Sequence, residues 1–171
     1  MIILGIDPAL SKTGYGLIRE ENGRFFLIKT GLIMTDSAKS YSLRLNEIYS
    51  HLLKVINKFH PEVMVVEKFY VHLRHPTTAY ILGQIKGIIC LLSAQKNIPL
   101  FEYASTRVKK SILGIGQASK YQIERMVMQL LNLKETPQYN DITDALAVAL
   151  AHCYILRSQA VISKRCGGLL V

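Results

Sequence analysis

The sequence predicts one α/β domain, a mixed five-stranded sheet covered by helices on both faces. Three observations predict it. Strand-like and helix-like segments follow one another as three strands, helix, strand, helix, strand and then helices, an order that layers helices on a sheet. Two strand-like runs, Ile2-Ile3-Leu4-Gly5-Ile6 and Val63-Met64-Val65-Val66, are apolar throughout, as strands buried on both faces are. Half of the 171 residues are apolar, enough for a substantial core without disulfide or metal staples.

Residues 2–7 form the first strand. Residues 13–20 and 24–33 read as two more, joined by a turn at Glu21-Asn22-Gly23, so three antiparallel strands open the domain. Between Tyr41 and Phe59, Leu45, Ile48, Leu52, Val55 and Ile56 recur at helical spacing, and Pro61 ends that helix. Residues 63–66 make a short buried strand that stops at Glu67. Helical periodicity returns from Pro76 to Lys96, with proline suited to the first turn, and residues 99–103 make a fifth strand. A helix crossing between two strands implies that they pair in parallel.

A short helical stretch follows at residues 106–113. Ser119 and Gln122 form a capping-box pattern before a helix that runs to about Asn132. The last helix runs from near Asp141 to about Arg157. This order is that of ribonuclease H-like folds. The domain on this reading covers residues 1–157, and residues 158–171, which lack acids and carry Lys164 and Arg165, form a loose basic tail. There is no internal repeat, low-complexity segment or long linker.

Lys and Arg number 21 against 12 Asp and Glu, a formal charge of +9 that favours a polyanionic partner, nucleic acid or an anionic membrane. The apolar start reaches Asp7 and Pro8 too soon for a signal peptide or a membrane span, so a soluble, cytoplasmic protein with no membrane partner is expected. Cys90, Cys153 and Cys166 are odd in number and far apart, which suits reduced thiols; Cys90 and Cys153 read as helix packing residues.

Asp7 and Glu67 each end a buried strand, and ligands collect at the carboxyl ends of parallel strands. A buried strand has no structural need for a terminal acid, since an unpaired carboxylate is costly to desolvate. Asp141 and Asp144 stand three apart at the start of a helix and so project from about one face; the Ala-Leu-Ala-Val-Ala-Leu-Ala run after them must pack on the protein. Each acid also has a structural reading: Asp141 as an N-cap, Asp144 as a favourable acid in the first turn, Asp7 as a turn residue before Pro8, Glu67 as a partner of Lys68. Only together do they make a site. Four carboxylates with no Cys or His at ligand spacing suit a hard cation, magnesium or manganese rather than zinc. A pair of such ions roughly 4 Å apart would support in-line phosphodiester hydrolysis without a covalent intermediate.

Several separated motifs carry a family likeness. Gly5-Ile6-Asp7-Pro8 with Thr13-Gly14-Tyr15-Gly16, Val65-Val66-Glu67, and Asp141 with Asp144-Ala145-Leu146-Ala147 resemble the motifs of RuvC, the bacterial Holliday junction resolvase family, over nearly the whole chain. Phe101-Glu102-Tyr103 and Gly114-Ile115-Gly116 are also similar. The resemblance implies a ribonuclease H-fold homodimer that nicks two strands of like polarity across a four-way DNA junction, in recombination and repair. It implies that Asp7, Glu67, Asp141 and Asp144 are the catalytic, magnesium-binding set, and that a junction branch-migration helicase is a partner. Tyr70, three residues past the second acid, matches the aromatic directed at the junction and would stack on a splayed base; as an aromatic in a loop it would also serve packing. The family usually has Gly where Ala9 stands, so a slight local adjustment is expected.

Arg107, Lys109, Lys110, Lys120 and Arg125 crowd a stretch whose one acid is Glu124. Lys109, Lys120 and Arg107 read as phosphate contacts, against the alternative of a solvated face. His72, Arg74 and His75 read equally as loop solubility or DNA contacts. Gly114-x-Gly116 lacks the rest of a dinucleotide fingerprint and implies no cofactor. His152 beside Cys153 reads as a packed histidine, because adjacent helical residues point apart. Two other functions fit parts of the pattern. The Gly5-Ile6-Asp7 and Thr13-Gly14 start is similar to the phosphate loop of actin-like ATPases and sugar kinases, which need two such domains where this chain holds one. A junction-binding module without chemistry would not need the four acids.

Overall fold

The computed structural model describes residues 1–68 and 76–166. Its sheet holds β1 (Ile2–Asp7), β2 (Lys12–Glu21), β3 (Arg24–Met34), β4 (Val63–Glu67) and β5 (Leu100–Tyr103) in the order β3-β2-β1-β4-β5. β1, β2 and β3 pair antiparallel, and β4 pairs parallel with both β1 and β5. The β2–β3 hairpin turns on Asn22 and Gly23, whose φ values of 46° and 89° are the left-handed pair that a two-residue turn requires. A register shift at Leu17/Ile18 interrupts their ladder.

The helices are α1 (Tyr41–Phe59), α2 (Pro76–Lys96), α3 (Ser105–Leu113), α4 (Lys120–Leu130) and α5 (Asn140–Cys166). α1 stops before Pro61, with His60 left-handed at φ 47° and its N–H bonded to the Ile56 carbonyl. α4 begins with the expected capping box, Ser119 accepting from the Gln122 N–H while the Gln122 side chain accepts from Ser119 N–H.

Alternation along the central strands sorts the core into two layers. Ile3, Val63 and Val65 pack under α3, α4 and α5, whereas Leu4, Ile6, Met64 and Val66 pack under α1 and α2. The first layer is thin because α5 lies almost on the backbone of β1 and β2. A Cβ on Gly5 would fall 2.0 Å from the Ala145 carbonyl oxygen, and one on Gly14 would fall 2.1 Å from that of Asp141. Ala145, Ala147, Ala149 and Ala151 line the helix there, all buried.

Two expectations are corrected. The boundary placed after residue 157 falls inside α5, which continues to Cys166; residues 158–166 hold neither Gly nor Pro, and the first such breaker is Gly167. Cys90 is exposed on α2 rather than packed, while Cys153 is buried as expected. Ala9 takes no left-handed backbone, so its methyl is accommodated; Thr13 Oγ1 donates to the Ala9 carbonyl (2.6 Å) and accepts from its N–H (3.2 Å).

Candidate active site

The acids meet where the parallel strands end. Asp7 closes β1 and Glu67 closes β4, adjacent strands in register, so both carboxylates leave the sheet at one edge. α5 approaches that edge with its first turns and brings Asp141 and Asp144 beside Asp7. A cleft of about 290 Å³ opens there, lined by Asp7, Glu67, Ser105, Val108, Lys109, Lys120, Ile123, Asp144 and Ala147.

Burial, then the charges of Asp144, Asp141 and Glu67, push Asp7 from its ordinary 3.8 up to about 7, against a lowering by Lys120. Burial also raises Glu67, with Asp144 adding to it. A hydrogen bond from the Ser105 side chain and the charges of Lys109 and Lys120 oppose that rise. Lys120 Nζ stands 3.5 Å from Asp144 Oδ2 with both groups partly in solvent, a weak pair that a competing charge would open. The edge is therefore starved of positive charge.

The predicted residues are not all placed alike. Asp7, Glu67, Asp144, Lys109 and Lys120 line the cleft. Asp141 does not line it, although it lies close enough to raise Asp7. Among the described residues no three His, Cys, Asp or Glu side chains close into a finished metal cage; the like charges stand around the cleft instead. Arg107 is turned away from it, over the Tyr103 ring at 5.3 Å and beside Lys110 in a separate cleft between α3 and α5. Tyr70, with Phe69, His72, Arg74 and His75, lies outside the described residues. His152 is fully buried, with Nδ1 2.8 Å from the Tyr103 hydroxyl, and serves packing.

Ser105 escaped sequence reasoning. Its one signal is its position, a hydroxyl in the first turn of a helix that starts directly after the strand beside Glu67. Val108, Ile123 and Ala147 form apolar walls that carry no signal of their own.

A ribonuclease H-like sheet with a carboxylate cleft at its strand ends and lysines along the rim defines a metal-dependent nuclease. The model of the family described as crossover junction endodeoxyribonuclease RuvC matches residues 3–152. The protein of that name from Pseudothermotoga lettingae is 41 % identical over 155 residues, 91 % of this chain and 95 % of that one. The one from Caldicellulosiruptor saccharolyticus is 41 % identical over 163 residues, 95 % and 96 %. Among solved structures, Thermus thermophilus RuvC superposes with a TM-score of 0.85 at 30 % identity, covering 93 % of this chain and 97 % of that one. T. thermophilus RuvC in complex with a Holliday junction substrate matches at 0.85 and 27 %, covering 92 % and 96 %. The chain belongs to the crossover junction endodeoxyribonuclease RuvC family, DNA nucleases of recombination and repair.

Asp7 gives the site a pH signature without divalent ions. Unfolded, it ionises near 3.8; folded, near 7. Between those values the fold binds more protons than the unfolded chain, so stability falls as pH rises through the window. Asp7→Asn should raise unfolding free energy at pH 8 in chelator by on the order of 1–3 kcal/mol and flatten the fall. Denaturant titrations at pH 5 and pH 8 measure it; parallel curves for parent and variant would contradict the crowding.

Proposed function

We propose that Asp7, Glu67, Asp141 and Asp144 are the catalytic set, that they hold magnesium, with manganese as a substitute and two ions per site, and that a homodimer of the chain resolves four-way DNA junctions. The observation that carries this reading is the convergence of acids from β1, β4 and α5 on one cleft, with Asp7 driven to about 7 by burial and its acidic neighbours.

The donor set fits such an ion. The cleft offers carboxylate and hydroxyl oxygens and no Cys or His, which selects a hard cation. Four carboxylates match the charge of two divalent ions. When bound, these ions supply charge for activating water and for the departing oxygen of an in-line displacement. The chain's own residues do the rest. Ser105 fixes the Glu67 carboxylate from the side. Lys109 and Lys120 take phosphates on the α3–α4 rim, and Lys120 leaves Asp144 as it does so. Val108, Ile123 and Ala147 exclude water from one wall. Arg107 adds a contact outside the cleft, and Tyr70 stacks on a base at the branch.

The uncovered face of α2 supports the dimer. One face of this helix seals the core through Ile85, Ile89 and Leu92, all fully buried. The other exposes Tyr80, Gly83, Gly87, Cys90, Leu91 and Ala94, and among the described residues no atom beyond the adjoining helix lies within 4 Å of where a Cβ on Gly83 or Gly87 would be. By length and composition alone Thr77–Lys96 is long and apolar enough to cross a membrane, with mean hydropathy 1.3 and 17 % of its most apolar 18-residue stretch buried. A helix that seals the sheet cannot also leave it, so the uncovered face is assigned to a second copy. Two copies present two clefts, one for each nicked strand. The same reading places the enzyme in the cytoplasm beside a junction branch-migration helicase, to be tested by capture of the two on a shared junction.

With a labelled synthetic four-way junction and magnesium, the parent should give paired symmetric nicks. Asp7→Asn and Glu67→Gln should lower cleavage more than about 100-fold while still binding the junction, and chelator should abolish it. Equal cleavage by parent and Asp7→Asn would sink the site.

Light scattering should give the parent the mass of two chains and Gly87→Glu that of one. A parent that stays monomeric at working concentration would refute the α2 interface.

A further inference from the structure

The proposed phosphate contacts on this chain, Lys109 and Lys120, stand on one side of the acids, on α3 and α4. A strand laid across four carboxylates and held from one side only would be pushed off on the other. The side formed by β2 and the start of α5 carries a cation that the sequence motifs did not single out.

Lys12 is the first residue of β2 and is exposed. Gly14, two residues on, is the register partner of Asp7, so Lys12 lies about 7 Å beyond the level of Asp7 toward the open end of the sheet. That is about two charge spacings of one strand as measured along the duplex axis. Lys12 and Gly14 share the face on which α5 rests, and Gly14 abuts Asp141 there. Lys12 Nζ accordingly sits over the ring of Tyr139, 5.0 Å from its centroid. Tyr139 is itself tied to the helix start, its carbonyl accepting from the Ile142 N–H at 3.1 Å.

The backbone below is pinned. Thr13 closes the residue 9–13 turn on Ala9, Thr35 Oγ1 donates to the Leu10 carbonyl at 2.6 Å, and Arg44 Nε donates to Thr35 Oγ1 at 2.9 Å. Among the described residues no carboxylate forms an ion pair with Lys12. Its charge also does not number among the influences on Asp7 or Glu67, unlike that of Lys120. The ammonium is thus held by an aromatic face and left uncommitted to the acids.

We infer that Lys12 is a second phosphate contact for the cleaved strand, gripping the DNA backbone on the side of the acids opposite Lys109 and Lys120, with Tyr139 as the positioning residue that holds its ammonium. The inference rests on the junction-cleaving reading above and adds a clamp to it. DNA phosphate is the ligand class, because the group offers a point charge and one aromatic face and no pattern of donors that would read a base. Cation–aromatic packing restricts the lysine stem before DNA arrives and so lowers the ordering cost of binding.

The test compares junction binding across a salt series, and KM with kcat for cleavage, in the 171-residue protein. Lys12→Ala should reduce the salt slope by about 1 and weaken binding about 3- to 10-fold, raising KM with kcat changed less than about 2-fold. Lys12→Arg should restore the slope. Tyr139→Leu should lose part of the affinity, and Tyr139→Phe, which keeps the ring, should recover it. Lys109→Ala, run alongside, separates the two readings. If it lowers the slope while Lys12→Ala does not, the second contact is refuted and the cleft reading stands. If neither lowers it, both fall. A Lys12→Ala loss that Lys12→Arg fails to restore, in protein of parental stability, would also overturn the phosphate contact.

Discussion

The site depends on how closely α5 lies on β1 and β2. No side chain separates the helix backbone from the sheet at Gly5 and Gly14, and the helix answers with alanines. The stacking does more than fill space. It sets the height of the first turn of α5, and with it the distance from Asp141 and Asp144 to an acid that the sheet alone would leave isolated. Larger residues at the two glycines would lift the helix and open the cleft from its floor.

Electrostatic demand follows from that packing. Asp7 sits where burial and three acidic neighbours oppose its ionisation, and the cation that offsets them, Lys120, is largely in solvent and weakly held. Stability alone does not explain such an arrangement, because replacing an acid there would relieve the fold. The cost is a property of a fold that expects positive charge from outside. The rest of the molecule serves the same end: α1 and α2 cover the far face so that β1 and β4 can be central, while α3 and α4 carry lysines to the rim and a serine to Glu67. The Thr13–Ala9 bonds and Thr35 hold the turn beyond Asp7, which keeps the rim on the β2 side fixed.

Most of the scaffold was legible because its signals are local. Alternation and apolar runs marked the strands, Pro61 marked the end of α1, and Ser119 with Gln122 marked the start of α4. Asp7 and Glu67 were legible as acids ending buried runs, and Asp141 and Asp144 as a pair three apart at a helix start, which the family motifs then matched. What the sequence hid were the consequences of packing. The lack of Gly or Pro in residues 158–166 permits a helix without requiring one, and α5 continues to Cys166. Arg107 and Lys109 are two apart in one helix, so only the orientation of α3 decides which one enters the cleft. Cys90 faces outward because α2 buries a single side. Asp141 shows the limit of motif reading, since it stands near enough to load Asp7 without lining the cleft. Ser105 needed the Glu67 carboxylate beside it before its hydroxyl had meaning.

The direct measurement is manganese binding to Gly14→Ala, followed by electron paramagnetic resonance at a temperature where circular dichroism shows parent and variant folded. The added methyl would meet the Asp141 carbonyl oxygen at 2.1 Å and the Asp141 Cβ at 2.9 Å, so it must move the start of α5. If the glycine seat assembles the acids, the folded variant should bind manganese at least about 10-fold more weakly than the parent. Parental manganese affinity in a folded Gly14→Ala protein would contradict the account, because the acids would then hold their ion without the close seat of α5.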